Sequence, residues 1–183
     1  CGYWCIDFID EFVLQKYVPP EETCAIVFEP IQGEGGYVVP PPEFFKRLKK
    51  LADKYSILLF DDEVQAGMGR TGKWFAIENW NVDPDILCSA KALASGLPLG
   101  ATVANAKIMD WVGGSHASTF GGNPVSCVAA GAVIDIIKQE KLVENSTKQG
   151  TYILKRLEEL KEQSEIVGDV RGKGLMIGME MVE

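Results

Sequence analysis

Short apolar runs alternate with amphipathic segments along most of the chain. Residues 43–55 carry apolar side chains three and four positions apart with lysines opposite, which predicts an amphipathic helix. The runs with the length and apolar content of buried strands are 25–28, 57–60, 86–89 and 101–104. This alternation predicts an α/β fold, in which a mostly parallel sheet is flanked by helices.

The pattern changes after the fourth predicted strand. Asn123 followed by Pro124 predicts a helix start, because Asn caps the free N–H groups and Pro fits the first turn. This helix reaches about residue 138 and is apolar on most sides, so we expect it to be buried. A charged helix and a weak strand are predicted after it, at 144–163 and 175–181. The change in composition predicts a domain boundary near residue 139.

Composition and charge disfavour several classes of protein. The 183 residues contain 18 Lys and Arg against 26 Asp and Glu, a net charge of −8, which disfavours nucleic-acid binding. The best candidate for a membrane span, 125–137, is too short and contains Asp135. Five cysteines without a CxxC pair, in mostly apolar surroundings, predict buried free thiols and a cytoplasmic location. The chain begins at Cys1, without a Met and inside a pattern of apolar and polar residues that is already under way, so we expect a fragment of a longer protein.

Lys91 is the first candidate for chemistry, because ligands of open α/β sheets bind beyond the carboxyl ends of the strands. It follows the apolar run 86–88 and precedes small and apolar residues. Desolvation there would lower the pKa of its amine and make it a nucleophile towards a carbonyl group. A surface lysine with a buried stem fits the same pattern, and both interpretations stay open.

Three adjacent acids, Asp61, Asp62 and Glu63, follow the second predicted strand. Side chains alternate in direction along an extended chain, so at most two of the three share a face. A buried carboxylate needs a partner, either a cationic ligand nitrogen or a metal ion. One hypothesis is therefore a metal-dependent hydrolase that binds Mg²⁺ through these acids. The alternative is that the three acids form a solvated turn and have no functional role.

Two loops carry weaker signals. Gly67, Gly69 and Gly72 match GxGxxG, but no helix clearly follows, so we predict a flexible loop and no dinucleotide site. Residues 118–123 place hydroxyl groups and glycines ahead of a helix N-terminus, which favours either an anion site or a simple N-cap.

Taken together, the motifs resemble the class III (ω-amino acid) aminotransferases of fold type I, which use pyridoxal 5′-phosphate (PLP). The ordered blocks that carry the resemblance are EPIQGEGG (29–36), LLFDDEVQAGMGRTG (58–72), SAKALASGLPLGA (89–101) and STFGGNP (118–124). The resemblance implies that residues 1–138 are part of the PLP-binding large domain. Residues 139–183 would then be a connecting helix and the start of the small α+β C-terminal domain.

The resemblance also implies roles for individual residues. Lys91 would form the Schiff base with PLP and then move the proton between the substrate Cα and the cofactor. Asp62 would pair with the ring nitrogen, Val64 would pack on the ring, and Gln65 would bind the phenolic oxygen. Thr119 would reach the phosphate bound by the neighbouring subunit of a homodimer, or of a multiple of dimers.

Two further acids and one departure complete what the resemblance implies. Glu29 would support the region of Asp62, and Glu34 is similar to the acid that pairs with an arginine or releases it to a dicarboxylate substrate. Position 61 is often small in the family, so we expect Asp61 to point away from the ring. The family's phosphate loop, ring-stacking aromatic residue and C-terminal arginine have no match here. We therefore expect the isolated chain to bind PLP poorly and to be inactive.

The implied activity is transfer of an amino group from an ω-amino acid or a basic amino acid, such as 4-aminobutyrate, to a 2-oxo acid. An amino-acid racemase or aminomutase on the same scaffold would keep Lys91 and Asp62, so the motifs leave that alternative open. The expected partners are small-molecule amino acids and 2-oxo acids, without nucleic acid or membrane. No residue with a role here requires a metal ion.

Overall fold

The computed structural model describes residues 2–183 and contains a four-stranded sheet with strand order β1-β2-β3-β4. Its strands are β1 (Ala25–Phe28), β2 (Leu58–Asp62), β3 (Ile86–Ser89) and β4 (Ala101–Ala104). β1, β2 and β3 pair in parallel, and β4 is antiparallel to β3. The carboxyl ends of β2 and β3 therefore lie at the same edge of the sheet.

Helices precede, connect and follow these strands. The α-helices are α1 (Trp4–Phe8), α2 (Phe44–Tyr55), α3 (Pro124–Gln139) and α4 (Leu142–Gln163). A π-helical segment, Ile9–Tyr17, continues α1, and short 3₁₀ turns lie at Pro20–Glu22, Ala76–Trp80 and Lys91–Leu93. The chain ends in an antiparallel hairpin of β5 (Val167–Lys173) and β6 (Met176–Met181), against which α4 packs.

The main hydrophobic core lies between α2 and the sheet. Phe45 and Leu48 of α2 are buried, as is Leu59 of β2. The ring of Phe45 lies 4.7 Å from that of Phe28 and 5.0 Å from that of Trp80, distances at which aromatic rings attract each other. This packing holds the strand that carries the acidic cluster against α2.

Most predicted elements are confirmed, and β2 differs in one informative way. The strand continues through Asp61 and Asp62, which the sequence pattern placed after its end. Backbone pairing explains the difference, because these two residues lie in parallel register with Leu87 and Cys88 of β3. The acids are therefore held by the sheet and not by a turn.

The predicted cap of α3 is confirmed, but its predicted burial is wrong for this chain. The Asn123 side chain accepts hydrogen bonds from the N–H groups of Val125 at 3.0 Å and Ser126 at 3.3 Å. Val125 and Val128 are 67% and 75% exposed, because α3 buries one stripe that includes Ala130 and Ile137 and leaves its opposite side uncovered. Cys24 and Cys127 are likewise exposed, contrary to the expectation of buried thiols.

The domain boundary predicted near residue 139 falls between α3 and α4, and the division into domains stays a prediction. None of the helices in residues 2–183 combines the length and apolar character required to cross a bilayer.

Candidate cofactor-binding cleft

An open cleft of about 770 Å³ is lined partly by residues that follow the carboxyl ends of β2 and β3. Its walls come from the turn after β2, the segment after β3, the loop before α2 and the tip of the β5–β6 hairpin. The lining residues are Tyr37, Val64, Gln65, Arg70, Lys91, Ala92, Ser95, Gly96, Leu97, Pro98, Leu175 and Met176. Three sequence-predicted site residues, Val64, Gln65 and Lys91, thus meet in one cleft.

Lys91 lies two residues beyond the end of β3 in a strained backbone conformation. Its φ is +44°, in the left-handed region that residues other than Gly seldom adopt. Such conformations are costly and concentrate at functional sites. The side chain is exposed at the open cleft, which agrees with the surface-lysine interpretation and not with the desolvated one.

The three adjacent acids divide between the two faces of the sheet, as expected. Asp61 and Glu63 are 0% and 1% exposed, whereas Asp62 is half-buried. One carboxylate oxygen of Asp62, Oδ1, accepts a hydrogen bond from the N–H of Val64 at 3.0 Å. Because alternate residues of β2 point to opposite faces, Asp62 points away from its two neighbours.

This division removes the basis of the metal-hydrolase hypothesis. Three ligands of one ion must converge on a point, and Asp62 lies on the other face of the strand from Asp61 and Glu63. Within residues 2–183, no group of three or more His, Cys, Asp or Glu side chains is placed to hold a metal ion.

Cys88 of β3 is the residue beside Asp62 in the sheet. Burial, and then the adjacent Asp62 carboxylate, raise the pKa of the Cys88 thiol. The thiol therefore stays protonated at neutral pH and adds no negative charge next to Asp62.

The two predicted glutamates do not line the cleft, but each accepts one hydrogen bond. Gln65 Nε2 donates to Glu34 Oε1 at 3.5 Å, and the N–H of Gly33 donates to Glu29 Oε2 at 2.9 Å. A Cβ atom at Gly33 would lie 2.5 Å from Gln65 Nε2, so a larger residue there would displace the end of the Gln65 side chain. The 29–36 segment is thus built around the Gln65 side chain.

Thr119 lies apart from these residues. It is exposed in the segment between β4 and α3 and does not line the cleft. The arrangement agrees with an action outside its own cleft, but its predicted contact with a neighbouring subunit stays a prediction.

The segment that carries Gly67, Gly69 and Gly72 is packed, so the predicted flexible loop is wrong. The carbonyl of Arg70 accepts hydrogen bonds from the N–H of Leu175 at 2.9 Å and from Ser146 Oγ at 2.8 Å. These bonds join the segment to α4 and to the hairpin. Such long-range partners leave no local mark in the sequence.

Sequence reasoning also missed Arg70 and Tyr37 as cleft residues. Arg70 lies in the 58–72 block, but the hydrogen bonds that fix its backbone come from α4 and the hairpin, far away along the chain. Tyr37 has a φ of +56°, which nothing in its local sequence indicates.

The cleft residues fit PLP at three points. Lys91 offers an exposed primary amine for the aldehyde, Val64 offers an apolar contact for the ring, and Gln65 offers an amide donor. Asp62 does not line the cleft, but it directly precedes the turn that does, and its carboxylate is held by the Val64 N–H. PLP is a pyridine aldehyde, and these groups match its parts: an amine for the aldehyde, an apolar surface for the ring, an amide for the phenolic oxygen and a carboxylate for the ring nitrogen.

Comparisons with known proteins agree with this fit. A family model described as aminotransferase class-III matches residues 7–183. Alanine/serine racemase from Pyrococcus horikoshii is 51% identical over 178 residues, which are 97% of this chain and 38% of that protein. Acetylornithine aminotransferase from Methanothermobacter thermautotrophicus is 48% identical over 162 residues, 88% of this chain and 42% of that protein.

A solved structure is similar over nearly the whole chain. The PLP-bound amine transaminase of an uncultivated Pseudomonas species is 40% identical with a TM-score of 0.91, over 98% of this chain and 42% of that one. The chain thus spans about two fifths of the length of these relatives. It belongs to the class III aminotransferases, a family of PLP-dependent enzymes with the fold-type I architecture.

Proposed function

We propose that the protein containing this chain binds PLP through Lys91 and moves an amino group from an ω-amino acid or a basic amino acid to a 2-oxo acid. The observation that carries the proposal is the meeting of Lys91, Val64 and Gln65 in one cleft, with Lys91 held at a positive φ. Family membership supports the same chemistry.

Lys91 and Asp62 take the central roles in this proposal. PLP, when bound, withdraws electrons from the bonds of the substrate Cα. Nζ of Lys91 would hold the cofactor aldehyde and would then take the proton from Cα and deliver it to the cofactor, as amino transfer requires. The carboxylate of Asp62 would keep a proton on the ring nitrogen, because a nearby negative charge favours the cationic form.

The neighbouring residues would orient the ring. Val64 would pack on its face, and the amide of Gln65 would donate to its phenolic oxygen. Glu34 already accepts a hydrogen bond from Gln65 and Glu29 from Gly33, so both would support the position of Gln65 and not contact the ring. Thr119 would bind the cofactor phosphate of a neighbouring subunit.

A racemase is the second candidate, because the alanine/serine racemase is more similar to this chain than the acetylornithine aminotransferase is. Both reactions use a lysine amine as the base at Cα. They differ in whether the amino group leaves: transfer consumes a 2-oxo acid, whereas racemisation needs no acceptor.

A substrate panel on the full-length protein tests the two candidates. 4-Aminobutyrate, ornithine and acetylornithine are each supplied with 2-oxoglutarate or pyruvate, and alanine with 2-oxoglutarate, and the loss of the supplied 2-oxo acid is measured. We expect loss of 2-oxo acid in the wild type and in Lys107→Ala, an exposed control lysine, and none in Lys91→Ala. Loss of optical activity from alanine without an acceptor, and no consumption of 2-oxo acid, would replace the proposal by the racemase.

We also propose a cytoplasmic homodimer, or a multiple of it. Support comes from Thr119, which does not line the cleft of its own chain, and from the exposed apolar surface of α3. Sedimentation equilibrium of the full-length protein measures the assembly, and a monomer would contradict the role given to Thr119.

A further inference from the structure

Two buried acids, Asp61 of β2 and Glu63 directly after the strand, take no part in the proposed reaction. Asp61 and Glu63 lie on the reverse face of the strand from Asp62 and are 0% and 1% exposed. Acids are almost never fully buried unless they are paired. This pair, next to the candidate cofactor residue, therefore requires an explanation.

Of the four carboxyl oxygens of Asp61 and Glu63, only one accepts a hydrogen bond from the described residues. Glu63 Oε1 accepts from the N–H of Ile77 at 2.8 Å. Glu63 Oε2 and both carboxyl oxygens of Asp61 are buried without a partner among residues 2–183. Two ionised carboxylates in such surroundings would pay the full desolvation penalty and would also repel each other.

The other titratable groups that act on the pair are acids and a thiol. Asp62 lies between the two residues, Glu78 belongs to the Ala76–Trp80 turn, and Cys88 lies on β3. Burial first, and the neighbouring carboxylates after it, raise the pKa of Asp61, and burial raises that of Glu63. No cation in the described part of the chain contributes to either shift, so a proton is the positive charge available to the pair.

We propose that Asp61 is protonated at neutral pH and donates a hydrogen bond from its carboxyl O–H to Oε2 of Glu63, and that this pair positions the turn that carries Val64 and Gln65. Glu63 is the acceptor because the backbone N–H groups of Ala76 and Ile77 stabilise its ionised form. Asp61, which has no backbone donor, keeps the proton.

The contacts of Glu63 show how the pair acts on the cleft. Its backbone N–H donates to the carbonyl of Cys88 at 3.0 Å, three residues before Lys91, and its carbonyl accepts from the N–H of Gly67 at 3.0 Å. Val64 and Gln65 lie in the turn between Glu63 and Gly67, which these two hydrogen bonds fix in place. Asp61 and Glu63 are thus positioning residues, and this role rests on the proposed function, whereas the location of the proton does not.

The first experiment locates the proton in the full-length protein by infrared spectroscopy. The C=O stretching band of a protonated carboxyl group is compared at neutral pH in the wild type, Asp61→Asn and Asp83→Asn. Asp83 is an exposed acid of the same type and serves as the control. We expect the band in the wild type and in Asp83→Asn and its loss in Asp61→Asn. A band that is absent from the wild type, or that survives in Asp61→Asn, overturns the proposal.

The second experiment tests positioning by rescue. Asp61→Asn keeps the shape and an N–H donor, whereas Asp61→Leu has a similar volume and no donor. We expect Asp61→Asn to retain turnover at neutral pH and Asp61→Leu to lose about tenfold in kcat, the effect of one missing hydrogen bond to a charged group. Equal turnover in the two variants, or loss in both, overturns the positioning role. If the wild type has no PLP-dependent turnover, the proposed function fails and the infrared result still decides where the proton lies.

Discussion

Gly150 is the position at which the packing of the C-terminal half can be tested most sharply. It is buried in α4 and faces the hairpin turn. A Cβ atom there would overlap the carbonyl oxygen, carbonyl carbon and Cα of Gly174. These are backbone atoms, so no side-chain rotation can relieve the overlap. The contact lies one residue before Leu175, which lines the cleft.

The expected effect of Gly150→Ala is the difference between two opposing terms. Alanine favours a helix interior over glycine by about 1 kcal/mol. Overpacking costs about 1–3 kcal/mol, and a backbone overlap places this site at the upper end of that range. We therefore predict a net loss of about 2 kcal/mol in the free energy of unfolding. The steric overlap outweighs the helix propensity, so the free energy of unfolding decreases.

Gly131 of α3 supplies the matched control, because no atom lies within 4 Å of the Cβ that alanine would add. Gly131→Ala should therefore stabilise the protein by about 1 kcal/mol through helix propensity alone. Urea unfolding followed by circular dichroism measures both variants, and we expect their midpoints to move in opposite directions. A higher midpoint for Gly150→Ala would show that α4 does not pack on the Gly174 turn as described.

Three further predictions concern the cap and the acids. Asn123→Ala removes the acceptor for two N–H groups of α3 and should reduce the free energy of unfolding by about 1 kcal/mol, which urea unfolding measures. Burial raises the pKa of Asp61 to about 9, so the folded state keeps a proton that the unfolded chain loses, and stability should fall as pH rises between 3.8 and about 9. Asp61→Asn should remove up to about 1.4 kcal/mol per pH unit of that slope in urea unfolding at several pH values, and an unchanged slope would contradict the burial argument. Asp62→Ala should lower kcat/KM by a factor that corresponds to several kcal/mol of lost transition-state stabilisation, far more than Asp61→Ala does. Equal kinetics in the two variants would refute the role of Asp62.

The fold could be predicted from the sequence where local signals were sufficient. Apolar runs located three strands at the correct residues, and Asn123 located the start of α3. The end of β2 was missed because backbone pairing with β3 continues past the last apolar residue, through Asp61 and Asp62. Apolarity measures burial, whereas strand ends depend on where the partner strand ends.

The candidate site was predictable in its residue types and less so in its surroundings. The alternation of β2 correctly separated Asp61 and Glu63 from Asp62. The sequence left open whether Lys91 is buried or exposed, because apolar neighbours in sequence do not decide whether a side chain is enclosed or stands at an open cleft. Arg70 escaped notice because its position depends on hydrogen bonds from α4 and the hairpin, far away along the chain.

The most direct measurement of the central claim is the site at which the cofactor becomes attached. The full-length protein is incubated with PLP, reduced with borohydride and digested, and the peptides are analysed by mass spectrometry. We predict that the phosphopyridoxyl group is found on Lys91, and that Lys91→Ala is unlabelled while the exposed control Lys107→Ala is labelled like the wild type. A label on another lysine, or equal labelling of Lys91→Ala, would contradict the account.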